Sequence, residues 1–403
     1  MEFDFNTYVK KVVKKEEIQK YTEELESIKE KFHKSLPELC WYDMKRYVDN
    51  KELKKLISLA NDFRCISDVI LIIGIGGSSM GAQAMIQALS PYIKKSHPEI
   101  IFVGTDLSSE YLIDLQKYLQ NKDVTINVIS KSGNTMEVLT VFELFHSWMY
   151  KKYSDEEVKR RIVVTTSSYD GKLAYYATKY QYQKLNIPSQ ISGRYSILTP
   201  ATLFPMALAG FDIVEFLKGA KEGRMMINQA GIYAMLRRIF FEQGKMIEGF
   251  AVYEPKLSHF VEWIKQLFAE SEGKDKKGIF PMKLIYTRDL HSLGQFIQEG
   301  NPIIFETILS VDRTRTFQVE KYNETLSTIN HTVEKSVCLA HLEAGCPSLF
   351  VKFDGLEEHS LGEAVMFFMI SAAMSSYLFH VNPFNHPGVT KYKDIVGEKL
   401  KNL

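Results

Sequence analysis

Ser130-Lys131-Ser132-Gly133-Asn134-Thr135 places hydroxyls, an ammonium and a glycine between an apolar run, "INVI", and a helical pattern, "MEVLTVFELF". Where a parallel strand turns into a helix, unpaired backbone N–H groups and the positive end of the helix dipole face whatever sits above them. Hydroxyls and one lysine in such a turn suit a single phosphomonoester. A comparable loop, "GIGGSSMG" at 74–81, follows "VILII", and its Gly77 and Ser78 are expected beside the same anion. It is not a P-loop, because Gly81 is followed by Ala82 and Gln83 where Lys and Ser or Thr would stand. A dinucleotide fingerprint would need glycine where Ser79 lies.

Acid–base and electrostatic groups lie further along the chain. In "FVEWIKQLFAESEG", Phe260, Trp263, Ile264, Leu267 and Phe268 trace one helical face, and Glu270 falls at i+3 from Leu267 and i+7 from Trp263. A carboxylate on the apolar side of a helix suits a general base, and spacing alone equally allows an exposed last-turn glutamate. Glu272 projects elsewhere and reads as a capping or surface acid. Arg194, in "SGRYS", offers a planar fork that can hold two adjacent oxygens as negative charge develops on them. His291, in "RDLHSLGQF", stands at a helix start with Asp289 near enough to cap it. Lys393 lies on the final helical segment, where spacing alone does not separate it from Lys391 or Lys399.

These residues need elements to hold them. Residues 6 to about 60 read as helix, dense in Lys and Glu at i, i+4. From Val69 short β-branched runs alternate with helical patterns: "VILII", "IIFVG", "TINVIS" and "RIVVTT". That alternation predicts α/β architecture, a doubly wound parallel sheet with helices on both faces. A weaker alternation follows a Pro-bearing crossing at 192–210, with strands in "EGFAVY", "IIFETI" and "PSLFVKF". The expected organisation is a helical cap at 1–65, α/β domains at 66–210 and 211–383, and a C-terminal helix at 384–403.

Composition narrows the function classes. The 403 residues are 45% hydrophobic and 25% charged, and 50 Lys and Arg against 49 Asp and Glu leave +1. No nucleic-acid or membrane partner is expected from that balance. Cys40, Cys65, Cys338 and Cys346 form no CxxC pair, so reduced thiols and no metal are expected. The N-terminus carries Glu2 and Asp4 without an apolar core segment, and "AVMFFMISAAMSSYLF" is shorter than the ~20 residues of a membrane span. A cytoplasmic protein with a buried apolar helix is the expectation.

The blocks "GIGGSSMG", "VISKSGNTMEV", "SGRYSILTP", "QLFAESEGKDKKG", "DLHSLGQFIQEG" and "NPFNHPGVTKYK", in this order, resemble the signature blocks of the glucose-6-phosphate isomerase family over residues 65–395. The resemblance implies two sugar-isomerase (SIS-type) α/β domains, three-layered αβα, and reversible isomerisation of a hexose 6-phosphate without cofactor, as in glycolysis and gluconeogenesis. It further implies a homodimer in which His291 reaches the neighbouring subunit's pocket. By the same resemblance Glu270 is the proton-transfer base, His291 and Lys393 open the sugar ring, Arg194 faces the enediolate, and Gln266 lies near the substrate hydroxyls. Ser130, Lys131, Ser132 and Thr135, with Gly77 and Ser78, hold the phosphate. Asn385 and His386 depart from the family's Asp-Gln, Asn134 replaces a threonine, and the chain is short at both ends of the family pattern. Two rival readings are a broader isomerase that also accepts mannose 6-phosphate and a sugar-phosphate sensor without catalysis.

Overall fold

A computed structural model describes residues 1–35, 39–44, 48–93, 97–167 and 169–400. The chain forms two compact units. The first comprises Leu36–Lys221 with Glu357–Gly362, and the second Met1–Ser35, Glu222–Leu356 and Glu363–Leu403. Strands are numbered along the chain. β1 (Glu2–Asp4) belongs to the second unit; β2 (Val69–Ile73), β3 (Glu99–Val103), β4 (Val124–Ile129), β5 (Ile162–Thr166) and β6 (Gln183–Asn186) build the first. β7 (Ile247–Val252), β8 (Phe280–Ile285), β9 (Ile304–Val311), the short pair β10 (Gln318–Val319) and β11 (Glu324–Thr325), and β12 (Ser348–Phe353) complete the second.

In the first unit the sheet order is β3-β2-β4-β5-β6 and every pairing is parallel. All five side chains of β2 are buried, as a central strand covered on both faces requires. Each contributes up to about 1.5–3 kcal/mol of burial, so the loop leaving β2 is tied to a rigid element. The helix Met136–Lys152 buries Val138, Leu139, Val141, Phe142, Phe145, His146 and Met149. The helix Asn50–Cys65, N-capped by Asp49, packs on the helix Pro200–Leu208.

His146 is enclosed by Phe142, Tyr150, Tyr176 and Tyr180, and its Nε2 lies 2.8 Å from the Tyr182 hydroxyl. Burial first, and then Lys179, push its pKa down from 6.5 to about 4. Folded His146 therefore stays neutral where the unfolded chain takes up a proton, so stability is lost as pH falls from about 6.5 toward about 4. Urea midpoints at pH 7 and pH 5 are expected to converge in His146→Phe relative to the parent; an unchanged gap would assign the acid sensitivity elsewhere.

The second unit repeats the pattern as β1-β12-β9-β7-β8, parallel except for β1, which runs antiparallel to β12. β8 occupies an edge, where Pro281 lacks only an outward-facing N–H. The helix Ser258–Glu272 buries the predicted stripe of Phe260, Trp263, Ile264, Leu267 and Phe268. The helix Lys15–Ser35 packs on the helix Ile227–Glu242. The helix Glu358–Leu378 is long and apolar enough for a membrane span, yet 89% of its most apolar window is buried inside the protein. It is a core helix, as its serine content predicts.

Candidate active site

The first group of candidate residues converges at the carboxyl ends of β2 and β4, where the chain order switches sides of the sheet. Open α/β sheets bind ligands at that point. Gly133 turns the second loop with φ +69°, and Ser130 and Thr135 hydroxyls lie 2.8 Å apart inside it. Thr135 is the N-cap of Met136–Lys152 but spends its hydroxyl on Ser130, so the N–H groups of Met136, Glu137 and Val138 have no acceptor among the described residues. They are available to an anion. The Lys131 carbonyl accepts from the Ser167 N–H and from the hydroxyls of Thr166 and Ser167, which anchors its backbone at the end of β5. The departure at Asn134 has a local use: its Oδ1 accepts from the Lys172 N–H at 2.9 Å, at the start of the helix Lys172–Lys179.

Arg194 reaches this site on the 3-10 turn Gly193–Leu198. A Cβ on Gly77 would lie 2.3 Å from the Gly193 carbonyl, so only glycine lets the two segments touch. Ser196, which spacing did not single out, ties them by donating to the carbonyls of Gly77 (3.1 Å) and Gly193 (2.6 Å). It sits in the quoted "SGRYS" block, but no pattern in that block distinguishes it from Ser192. Arg194 is 1% exposed. Burial, and then the Arg194 charge, hold the Lys131 pKa below its ordinary value. A lysine whose ammonium is disfavoured by burial and by a nearby guanidinium, in a turn bearing Ser130, Ser132 and Thr135, marks a place where a dianion would offset that penalty. Ser78 and Ser132 complete the surroundings on the two loops, and Ser132 Oγ accepts from the Asn134 N–H.

The second group lies in the other unit. Glu270 sits in the last turn of Ser258–Glu272, half-buried, and accepts from Gln266 Nε2 at 2.9 Å. Gln266 Oε1 is buried without a hydrogen-bond partner, an acceptor suited to a substrate hydroxyl. Lys274 Nζ donates to the carbonyls of Glu270 (2.8 Å), Ser271 (2.6 Å) and Asn382 (2.7 Å), which fixes this helix end and offsets its negative pole.

Glu272 is not the surface acid that its sequence setting suggests. It is 0% exposed and binds Arg237 through both oxygens, with Glu248 on the other side of the guanidinium at 2.7 Å. The partner lies 35 residues away, beyond the reach of local pattern. Arg237 did leave a signal, as a cation at i+4 from Tyr233 and i−3 from Phe240 on an otherwise apolar face.

His291 ends the 3-10 turn Arg288–His291, and Lys393 lies on the helix Thr390–Leu400; both are exposed. Asp289 fixes the first turn by accepting from the Ile285 N–H and binding Arg288. Neither the His291 nor the Lys393 side chain hydrogen-bonds Glu270 or any other described residue.

The phosphoglucose isomerase family model matches residues 44–280. The chain is 40% identical over 381 residues to the glucose-6-phosphate isomerase of Bacillus anthracis, covering 88% of this chain and 85% of that protein. The Shouchella clausii (strain KSM-K16) glucose-6-phosphate isomerase is also 40% identical, over 88% of this chain and 84% of its own. Among solved structures, a hypothetical protein from Thermus thermophilus superimposes with TM-score 0.85 at 23% identity over 96% of each chain. A Chlamydia trachomatis glucose-6-phosphate isomerase gives 0.76 at 19% identity over 87% of this chain and 73% of its own. A tagatose-6-phosphate ketose/aldose isomerase from Escherichia coli gives 0.58 at 13% identity and shares the fold, covering 87% of this chain and 92% of its own. Strand order, signature blocks and sequence identity therefore agree, and the chain belongs to the phosphoglucose isomerase family.

Proposed function

We propose that the protein reversibly interconverts glucose 6-phosphate and fructose 6-phosphate, in the cytoplasm and as a homodimer. The observation that carries this reading is Lys131, disfavoured by burial and by Arg194, in a hydroxyl-bearing turn beside helix N–H groups that have no acceptor among the described residues, in a member of this family. The phosphate is held by Ser130, Lys131, Ser132 and Thr135 with the backbone of Gly77 and Ser78. Ring opening falls to His291 and Lys393. Glu270 then takes the C2 proton and returns it to C1, with Gln266 orienting the carboxylate. Arg194 faces the two oxygens of the enediolate, where a fixed cation lowers the barrier more than mobile water can. Holding the remote phosphate supplies the orientation that acid–base groups alone lack. All these groups belong to the chain itself, and no step in the scheme calls on a cofactor.

A coupled assay on fructose 6-phosphate in chelator-treated buffer is expected to show formation of glucose 6-phosphate; no turnover would overturn the assignment. Replacing Lys131 and Ser132 together by alanine is expected to raise KM about 10- to 100-fold or more, since each charge-assisted hydrogen bond is worth about 1.5–3 kcal/mol. An unchanged KM would move the phosphate elsewhere.

The dimer reading draws on His291, whose exposed side chain bonds none of the described residues, and on the helix Thr390–Leu400, which buries no residue while exposing Tyr392, Ile395 and Leu400. Mixing His291→Ala with Glu270→Gln subunits is expected to restore part of the activity in heterodimers. No recovery after verified exchange would confine His291 to its own chain's pocket.

A further inference from the structure

The two sheets share one connectivity. In each, the leading strand (β2 or β7) has the next strand (β3 or β8) on one side and the following one (β4 or β9) on the other. Each sheet therefore has a switch point at the carboxyl ends of its central pair, the usual ligand position in such sheets. In the first sheet that point carries the Lys131 loop. In the second it opens into a cleft of about 430 Å3 that none of the residues assigned above lines. Its walls are Tyr253 just past β7, Thr314 and Arg315 past β9, and Ser327, Asn330 and Glu334 from the helix Leu326–Glu343. Glu270 lies far from it. The helix Ser258–Glu272 runs back along the sheet, and its twelve steps from 258 to 270 span roughly 18 Å at 1.5 Å each.

Three features mark the cleft as built for a ligand. Tyr253 is 7% exposed and its hydroxyl, closed to solvent, has no hydrogen-bond partner among the described residues, a loss of about 1–3 kcal/mol that a small shift of the ring toward a bound polar group would recover. Arg315, at the rim, makes no hydrogen bond or ion pair among the described residues. Glu334 is buried at the base, accepting from Ser310 Oγ at 3.0 Å with His331 Nδ1 3.7 Å away. Val311, Ile329 and Val333 add aliphatic surface to the lining. An exposed cation, a buried carboxylate and an apolar flank in one lining fit a hydroxylated anion.

The site differs from the first in how it would grip that anion. Here the first-turn amides are already used: Leu326 N–H by the Phe317 carbonyl, Ser327 N–H by Thr316 Oγ1 at 3.0 Å, Thr328 N–H by Thr325 Oγ1 at 3.1 Å. Side chains, and not the backbone, must hold the charge.

We propose that this cleft is a second binding site for a sugar phosphate, with the anionic group on Arg315 and the hydroxyls of Thr314 and Ser327, and the sugar hydroxyls on Glu334, Asn330 and Tyr253. The assignment stands on the cleft's own side chains and is independent of the reaction proposed above. Glucitol 6-phosphate tests it, because a hexitol has no carbonyl and is not turned over. Equilibrium dialysis into the millimolar range is expected to give two molecules per chain in the parent and a tenfold or greater weakening of one of them in Arg315→Ala. Glu334→Gln should weaken the same molecule, and turnover of fructose 6-phosphate by Arg315→Ala should persist. Binding in which no molecule responds to either substitution would overturn the site, whereas a single molecule per chain that both substitutions weaken would leave it standing and count against the Lys131 loop. Inorganic phosphate binding there as tightly as the hexitol phosphate would overturn the sugar contacts.

Discussion

Glu270→Gln is expected to lower kcat by about 10²- to 10⁴-fold while leaving the affinity for a non-reacting sugar phosphate close to that of the parent. The amide keeps the shape of the side chain and an oxygen that can still accept from Gln266 Nε2, so the last turn of Ser258–Glu272 has no reason to move. Lys274 continues to hold the carbonyls of residues 270 and 271. What disappears is an atom that can accept and return a proton. The phosphate contacts assigned to Lys131 and its neighbours lie on other elements, so KM or the Kd of a hexitol phosphate should change little. Steady-state kinetics beside titration of the analogue separates the two quantities. Parent-like kcat would remove Glu270 as the base, and lost affinity with intact kcat would make it a binding group.

The Lys131 loop was legible in the sequence because its two neighbours are unambiguous. β4 is buried throughout and apolar and β-branched at four of its six positions, and Met136–Lys152 follows with buried residues at helical spacing, so the hydroxyls had to fall in the turn between. β2 matches its predicted span, Val69–Ile73, because a strand covered on both faces has nothing but apolar residues. β6, "QKLN", and β8, "FPMKLI", carry no such mark. Both are edge strands, where polar residues and Pro281 are tolerated because one side of the backbone needs no partner. The helical stripe beside Glu270 was readable from spacing, whereas its roles and those of His291 and Lys393 rested on family resemblance. The Gly77–Gly193 approach and the Ser196 tie join residues more than a hundred positions apart, a relation that periodicity does not encode.

The same limit hid the partners of Arg237, whose removal is expected to have the largest effect on stability. Its guanidinium is fully buried and binds Glu248, Glu272 and Ser375, while Tyr233 and Thr307 hydroxyls satisfy the remaining oxygen of Glu248. Burial opposes the charge, but Glu248 and Glu272 outweigh it and raise its pKa above the ordinary arginine value. Arg237→Met keeps much of the volume and leaves two buried carboxylates without a counter-charge. Breaking one buried pair costs about 3–5 kcal/mol, a large share of a typical 5–15 kcal/mol stability. The urea midpoint should fall accordingly. Adding Glu248→Gln and Glu272→Gln to Arg237→Met should restore part of the loss, because the penalty comes mainly from uncompensated charge. Glu272 stands two residues beyond Glu270, so at temperatures where Arg237→Met remains folded kcat should drop more than KM rises. Parent-like stability of Arg237→Met would mean that the ion network holds the helix end without adding net free energy, and the kinetic split would then be its only trace.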